Sequence, residues 1–403
     1  MKLHFNDETF SFELLRTLSY APYGGADIGE CLLTASRIKE GDFDSWHQEW
    51  ISTAARVHAV ADNALAGGQR TSAREAYLRA SNYYRTAEFF LHGNISDPRL
   101  LSTWRFSRDT FRQAAQLMDL PVEQVNIPYE NLTLPGYFYS CNSSGEPRPT
   151  LIIHGGYDST GEELFFNAAA ALQRGYNCLT FEGPGQGAMI REHGLPFRAD
   201  WERVITPVVD FLLRRPETDP QCIALMGISF GGYLAPRAAA FEHRLAACIA
   251  NDGLFSFKFS EMGEKSLPGQ KVDELDFGQA LQSFLMEHTG VRWAIENGLF
   301  TFRAESLPEL IEKTEAYTLE GIAERITCPT LVCSAEEDHF FKGQPERLYE
   351  ALTCSKTLLN FTAEEGAEEH CHFGALTLFN SRVFAWLDET LQIPATAKSV
   401  LSL

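Results

Sequence analysis

From "TLIIHGG" onward the chain repeats one pattern: a short run of consecutive apolar residues, a turn, then a helical stretch. The runs are "TLIIHGG", "YNCLTFEGPGQG", "CIALMGISFGG", "AACIANDG", "PTLVCSAEEDHF" and "KTLLNFTAEE", each ending in turn-forming or acidic residues. Between the first of them lie the helix-compatible "GEELFFNAAAALQRG" and "WERVITPVVDFLLRR". A strand that is apolar throughout needs cover on both faces, and strands separated by helices run parallel. The pattern predicts an α/β fold: a mostly parallel sheet with helices on both faces. Just before it, "VNIPYENLTLPGYFY" reads as a hairpin.

From about Asp42 to about Leu120 the period is helical instead. "TSAREAYLRASNYYRTAEFFLHG" sets Ala73, Ala76, Tyr77, Ala80, Tyr84, Ala87 and Leu91 on one face at spacings of three and four. Ser72 with Glu75 reads as a capping box at its start, and Gly93 as its stop. "DSWHQEWISTAARVHAVADNALAGG" is an earlier helix that ends at a glycine pair. The expected division is a helical N-terminal domain over 1–122 and a core over 123–403. Within the core, about 254–325 shows no clear strand but many aromatic residues, among them Phe255, Phe257, Phe277, Phe284, Trp293 and Phe300. An insertion of that length at the end of a strand reads as a helical lid, with extra core or a dimer face as the alternative.

A net charge of −20 disfavours nucleic acid and anionic membrane surfaces, both of which select clustered Lys and Arg. It suits a small, uncharged, apolar ligand. No apolar run approaches the length of a bilayer span. "MKLHFNDETFSFELL" carries acidic residues where a secretory leader would be apolar, so a cytoplasmic location is expected. The nine cysteines form no CxxC pair and several sit in apolar runs, which predicts buried free thiols.

The chemistry centres on "MGISFGGYLAP". "GISFGG" fits G-x-S-x-G, with an apolar run before it and helix-compatible residues after it. In that elbow the turn is too tight for side chains at Gly227 and Gly231, and Ser229 stands out as a nucleophile. A serine hydroxyl needs a base within hydrogen-bond reach, and the base needs an orienting acid; in this fold they follow in the order acid, then histidine. The favoured acid is Asp338 at the end of "TLVCSAEED", with Glu336, Glu337 and Asp252 as alternatives. The favoured base is His370 in "EEGAEEHCHFGA"; His372 stays open, and His339 reads as a loop residue. An oxyanion hole needs backbone N–H donors. Phe230 supplies one, and Gly156 or Tyr157 in "HGGYDS" supplies the other.

Two further motifs compete for a role. "GPGQG" at 183–187 looks like a phosphate loop but lacks the Rossmann spacing and the Walker lysine, so it reads as a turn. "EEHCH" offers Glu369, His370, Cys371 and His372 as metal ligands, but without a spaced partner pair, and no metal or cofactor is expected.

Taken together, "SAREAYLRASNYYRTAEFF", "HGGYDSTGEE", "FEGPGQG", "GISFGGYLAPRAAAFEHRLAACIANDG" and "HCHFGA" resemble one branch of the α/β-hydrolases. That branch includes the bacterial 2,6-dihydroxypseudooxynicotine hydrolases and the fungal polyketide-cluster hydrolases of the yellowish-green heptaketide hydrolyase and fusarin types. The resemblance implies Ser229 as nucleophile, Asp338 as acid and His370 as base, with N-terminal helices closing one side of the site. It implies a homodimer, and cleavage of an ester, a thioester or a carbon–carbon bond beside a ketone. It also points to an extra lid glutamate, for which "FSEMGEKS" offers Glu261 and Glu264. Phe255, Phe257, Trp293 and Glu261 are the candidate substrate contacts. The expected substrate is a small apolar acyl compound of the polyketide type, either free or bound to a carrier protein. Capture of the acyl-enzyme by an internal hydroxyl or amide would instead make a lactone or lactam. A non-catalytic scaffold is the rival class; it would lack one of the three residues, and none is missing.

Overall fold

The computed structural model describes residues 1–261 and 288–393, so Glu264, Phe277 and Phe284 lie outside the described residues. The chain forms two compact units. One combines Met1–Leu117 with Phe257–Thr318, and the other combines Met118–Ser256 with Leu319–Leu403.

The second unit holds an eight-stranded sheet. The hairpin is β1 (Val122–Tyr129) and β2 (Leu132–Tyr139), with Tyr129 opposite Leu132. The apolar runs follow as β3 (Arg148–His154), β4 (Asn177–Phe181) and β5 (Thr218–Ile228). Then come β6 (Ala247–Asn251), β7 (Thr330–Ala335) and β8 (Lys356–Phe361). Their order is β1-β2-β4-β3-β5-β6-β7-β8. β2 meets β4 antiparallel, and every pair from β4 to β8 is parallel. β4, β6 and β7 are buried at every position, as strands covered on both faces must be, while the edge strand β1 alternates. His154 pairs with Gly227 and Ile228 with Asn251, so the turns after β3, β5 and β6 leave the sheet side by side. Residues distant in sequence meet there.

In the first unit, the helices are α1 (Glu8–Ser19), α2 (Ile28–Ala35), α3 (Phe43–Ala66), α4 (Arg70–Glu88) and α5 (Pro98–Ala115). Asp7, Asp27, Asp42 and Asp97 cap four of them, each accepting an N–H from the first turn. The capping box expected at Ser72 and Glu75 is not the start of α4. The chain reverses through left-handed Gly68, and α4 begins at Arg70 with Ser72 already inside it. Its stop also comes early, at Glu88 rather than Gly93. There Phe90 turns into an aromatic cluster, stacked on Phe43 with centroids 4.2 Å apart and on Phe10 at 5.0 Å.

Of the described part of the insertion, 257–261 and 288–318 belong to this helical unit, and its two ends belong to the sheet unit. Trp293, on the helix Thr289–Thr301, stacks on Phe89 at 4.7 Å, and Phe300 stacks on His92 at 5.0 Å. The Thr289 hydroxyl donates to the Asp7 carboxylate at 2.6 Å. The first boundary thus falls at 117/118, against the expected 122/123, and the described residues of 257–318 pack with the N-terminal helices. All nine cysteines are free and seven are buried. Among the described residues, no helix is long and apolar enough to cross a membrane.

Candidate active site

Ser229 sits between β5 and the helix Gly231–Ala239 with φ of +61°, in the left-handed region that non-glycine residues rarely adopt. Three glycines make that turn possible. A side-chain carbon on Gly227 would lie 1.9 Å from the Gly231 carbonyl oxygen, and one on Gly231 would lie 2.9 Å from that of Gly155. One on Gly232 would lie 2.2 Å from the Asp252 carbonyl oxygen, so the elbow is also closed against the turn after β6. Gly227→Ala is therefore expected to cost at least about 1–3 kcal/mol, because backbone must move to admit the methyl. A urea midpoint equal to the wild type would contradict so tight an elbow.

The three expected side chains meet here. His370 Nε2 lies 2.8 Å from Ser229 Oγ, and His370 Nδ1 lies 3.0 Å from Asp338 Oδ2. The other Asp338 oxygen accepts the backbone N–H groups of Phe340 at 2.8 Å and Phe341 at 3.0 Å, which fixes the carboxylate. The rings of the same two phenylalanines stand edge-on to the imidazole at 5.0 and 5.3 Å. Ser229 is half-buried, while Asp338 and His370 are buried.

A second carboxylate shares the imidazole. Asp252 Oδ2 lies 2.8 Å from His370 Nδ1 and also accepts the Cys371 N–H. Asp252 Oδ1 faces His372 Nε2 at 3.6 Å. Sequence reasoning weighed Asp252 and Asp338 as alternatives, whereas the structure brings both to one nitrogen. Asp252, Cys371 and His372 are all left-handed, with φ of 56°, 56° and 59°. Among the described residues, seven non-glycine positions have positive φ, and four of them are these three and Ser229. Strain of this kind gathers where a site over-determines the backbone.

Charge follows the same layout. Burial opposes a charge on the His370 ring, while the acidic groups packed around it, Cys371, Asp338 and Asp252, favour one, and its pKa is raised well above the usual range. Cys371 itself is pushed up to about 12 by burial and stays a thiol at neutral pH, so the two carboxylates carry the effect. Burial works to raise the Asp252 pKa, but the neighbouring His370 and His372 hold it below the ordinary value. His372 is pushed down by burial, with its ring against Phe361 at 4.0 Å and Phe379 at 5.0 Å. It is a packed residue.

The remaining candidates fall elsewhere. Glu337 pairs with Lys342 on the surface, and exposed Glu336 accepts the Ala363 N–H. His339 is exposed. In "EEHCH", donor atoms of His370 and Cys371 lie within 4.8 Å of one another and of Asp252. In that set Asp252 Oδ2 is already engaged by the Cys371 N–H and His370 Nδ1. Phe255 lies beneath the Arg347 guanidinium at 4.8 Å, and its N–H reaches Gln344. In the helical unit Phe257 and Trp293 are buried among aromatic neighbours, and Glu261 is half-buried.

For the oxyanion donors, a side-chain carbon on Gly156 would lie 2.6 Å from the Phe230 nitrogen, so the turn after β3 abuts the elbow backbone directly. Tyr157 is buried, with its ring edge-on to Phe230 at 6.4 Å. "GPGQG" is a turn, with Gly185 at φ +84° leading into a short helix that starts at Gly187.

A parallel sheet with a serine elbow at the end of its central strand, and a histidine on that serine, defines an α/β-hydrolase. The chain belongs to the FrsA-like esterase family, whose pattern matches residues 38–271; residues 206–352 also match the C-terminal domain of BAAT and acyl-CoA thioester hydrolases. It is 37% identical to hydrolase acrC of Aspergillus aculeatus, over 95% of this chain and 97% of that protein. It is 36% identical to the 20-hydroxy-prefusarin hydrolase FUS2 of Gibberella moniliformis, over 96% and 98%. Among solved structures, the 2,6-dihydroxy-pseudo-oxynicotine hydrolase shares the fold at TM-score 0.75, with 22% identity over 96% of this chain and 98% of that one. Both groups are the ones the motifs resemble.

Proposed function

We propose that the chain is a serine hydrolase that works through an acyl-enzyme on an apolar ester, thioester or ketone of the polyketide type. The observation that carries this reading is the Ser229–His370 contact of 2.8 Å, with a carboxylate on the opposite ring nitrogen. His370 Nε2 takes the hydroxyl proton as Ser229 Oγ attacks the carbonyl carbon. Asp338 holds the ring in the orientation and tautomer that this transfer needs. The developing oxyanion lies on the N–H groups of Phe230 and of Gly156 or Tyr157. His370 then hands its proton to the leaving group, and water, activated by the same ring, releases the acid.

The substrate class has separate support. Matches to esterase and acyl-CoA thioester hydrolase families favour acyl transfer to water, and the 20-hydroxy-prefusarin hydrolase is a relative along its whole length. The net charge of −20 disfavours anionic substrates. A fluorophosphonate probe tests the reading, because it phosphonylates only an activated serine. The wild type is expected to label and Ser229→Ala to stay unlabelled. Labelling of neither protein, or of both alike, contradicts the proposal.

A further inference from the structure

The "GPGQG" turn has no part in the chemistry above, yet one of its side chains is fully buried beside the site. Gln186 is 1% exposed. Its Nε2 donates to the Gly155 carbonyl at 2.7 Å and to the Gly156 carbonyl at 3.3 Å, and its Oε1 accepts the Gly183 N–H at 3.0 Å. One donor on one side and two acceptors on the other allow only this orientation of the amide.

The choice of carbonyls is informative. In a planar trans peptide the C=O and the following N–H point in opposite directions. The peptide bearing the Gly155 carbonyl carries the Gly156 N–H, and the one bearing the Gly156 carbonyl carries the Tyr157 N–H. Drawing both carbonyls to Gln186 therefore turns both N–H groups the other way. Gly156 abuts the Phe230 nitrogen, the first oxyanion donor of the proposed mechanism. We infer that Gln186 is a positioning residue that sets the oxyanion hole by clamping the two peptides whose N–H groups complete it.

The clamp is itself anchored. The Glu182 carboxylate accepts the Gly161 and Ala188 N–H groups, each at 2.7 Å, and the Gly187 N–H donates to the Ser159 carbonyl at 3.2 Å. The loop after β3 is thus tied to the turn after β4 at Ser159 and Gly161 as well as at the two carbonyls that Gln186 holds. A phosphate-binding role would leave the backbone N–H groups of this turn open to a ligand. Instead, those of Gly183, Gly185, Gln186, Gly187 and Ala188 are taken by protein acceptors.

The inference rests on the serine-hydrolase reading, and the experiment separates the two. Gln186→Glu keeps the size and the Gly183 contact but loses both donors, and Gln186→Ala loses the side chain. Kinetics on a p-nitrophenyl acyl ester are normalised to active sites titrated with fluorophosphonate, so misfolded protein drops out. Both variants are expected to lose about 10–100-fold in kcat with KM nearly unchanged, and to bind an alkyl boronic acid more weakly by a similar factor. A wild-type kcat in both variants, or a loss confined to KM, overturns the role of Gln186 while leaving the hydrolase reading intact. A wild-type protein that takes up no fluorophosphonate overturns the hydrolase reading, and this inference with it.

Discussion

With Ser229 replaced by alanine, hydrolysis of an activated ester is expected to fall by about 10⁶-fold in kcat, and His370→Ala should fall as far. The hydroxyl is nucleophilic only while the ring 2.8 Å away accepts its proton, so removing either partner removes the same step. The double variant should therefore be no worse than either single one. Steady-state kinetics on freshly purified protein make the check, with thermal melting to confirm that Ser229→Ala is folded. Ser229→Ala activity above roughly a tenth of wild type would mean that another group attacks the carbonyl.

The second large effect separates the two carboxylates on His370. Asp338→Asn is expected to cut kcat by about 10⁴-fold, since the amide presents a donor where the ring N–H needs an acceptor and favours the wrong tautomer. Asp252→Asn should cost roughly ten- to a hundredfold, the scale of one hydrogen bond to a charged group at about 1.5–3 kcal/mol. The pH profile reports Asp252 separately. A protonated His370 cannot accept the Ser229 proton, so activity rises with pH as the ring loses its charge. Because the carboxylates raise that pKa, the acid limb of the wild type lies above the ordinary histidine value of about 6.5. Removing the Asp252 charge weakens the imidazolium and moves the limb to lower pH. Equal losses in the two variants, or an Asp252→Asn limb that stays in place, would contradict this division of roles.

Much of this arrangement was legible beforehand, for identifiable reasons. The strands announce themselves because positions buried on both faces favour consecutive apolar residues, with few polar ones between them. Ser229 and His370 were findable because the elbow needs glycines and the base sits in the loop before the last helix. Asp338 and Asp252 were harder to rank, since each ends or follows a strand of the parallel sheet and carries the same functional group. Their convergence depends on β6 and β7 lying next to each other, which is a fact of topology. The role of Gln186 left no mark beyond its motif: its partners are main-chain groups, and any sequence has those. The division of the chain was hidden for another reason. Phe89 and Trp293 stack across some two hundred positions, and no local window spans such a contact. α1 and α2 are short, at twelve and eight residues, and leave little length over which to read a helical period.

The left-handed residues around the imidazole bear on how such a protein can change. Ser229, Asp252, Cys371 and His372 occupy a conformation that glycine would adopt without penalty. At Ser229 and Asp252 glycine would relieve the strain but erase the chemistry, and at Cys371 and His372 it would empty space that buried side chains fill. Relief of the strained backbone is therefore blocked throughout that small cluster, by turnover at two positions and by packing at the other two.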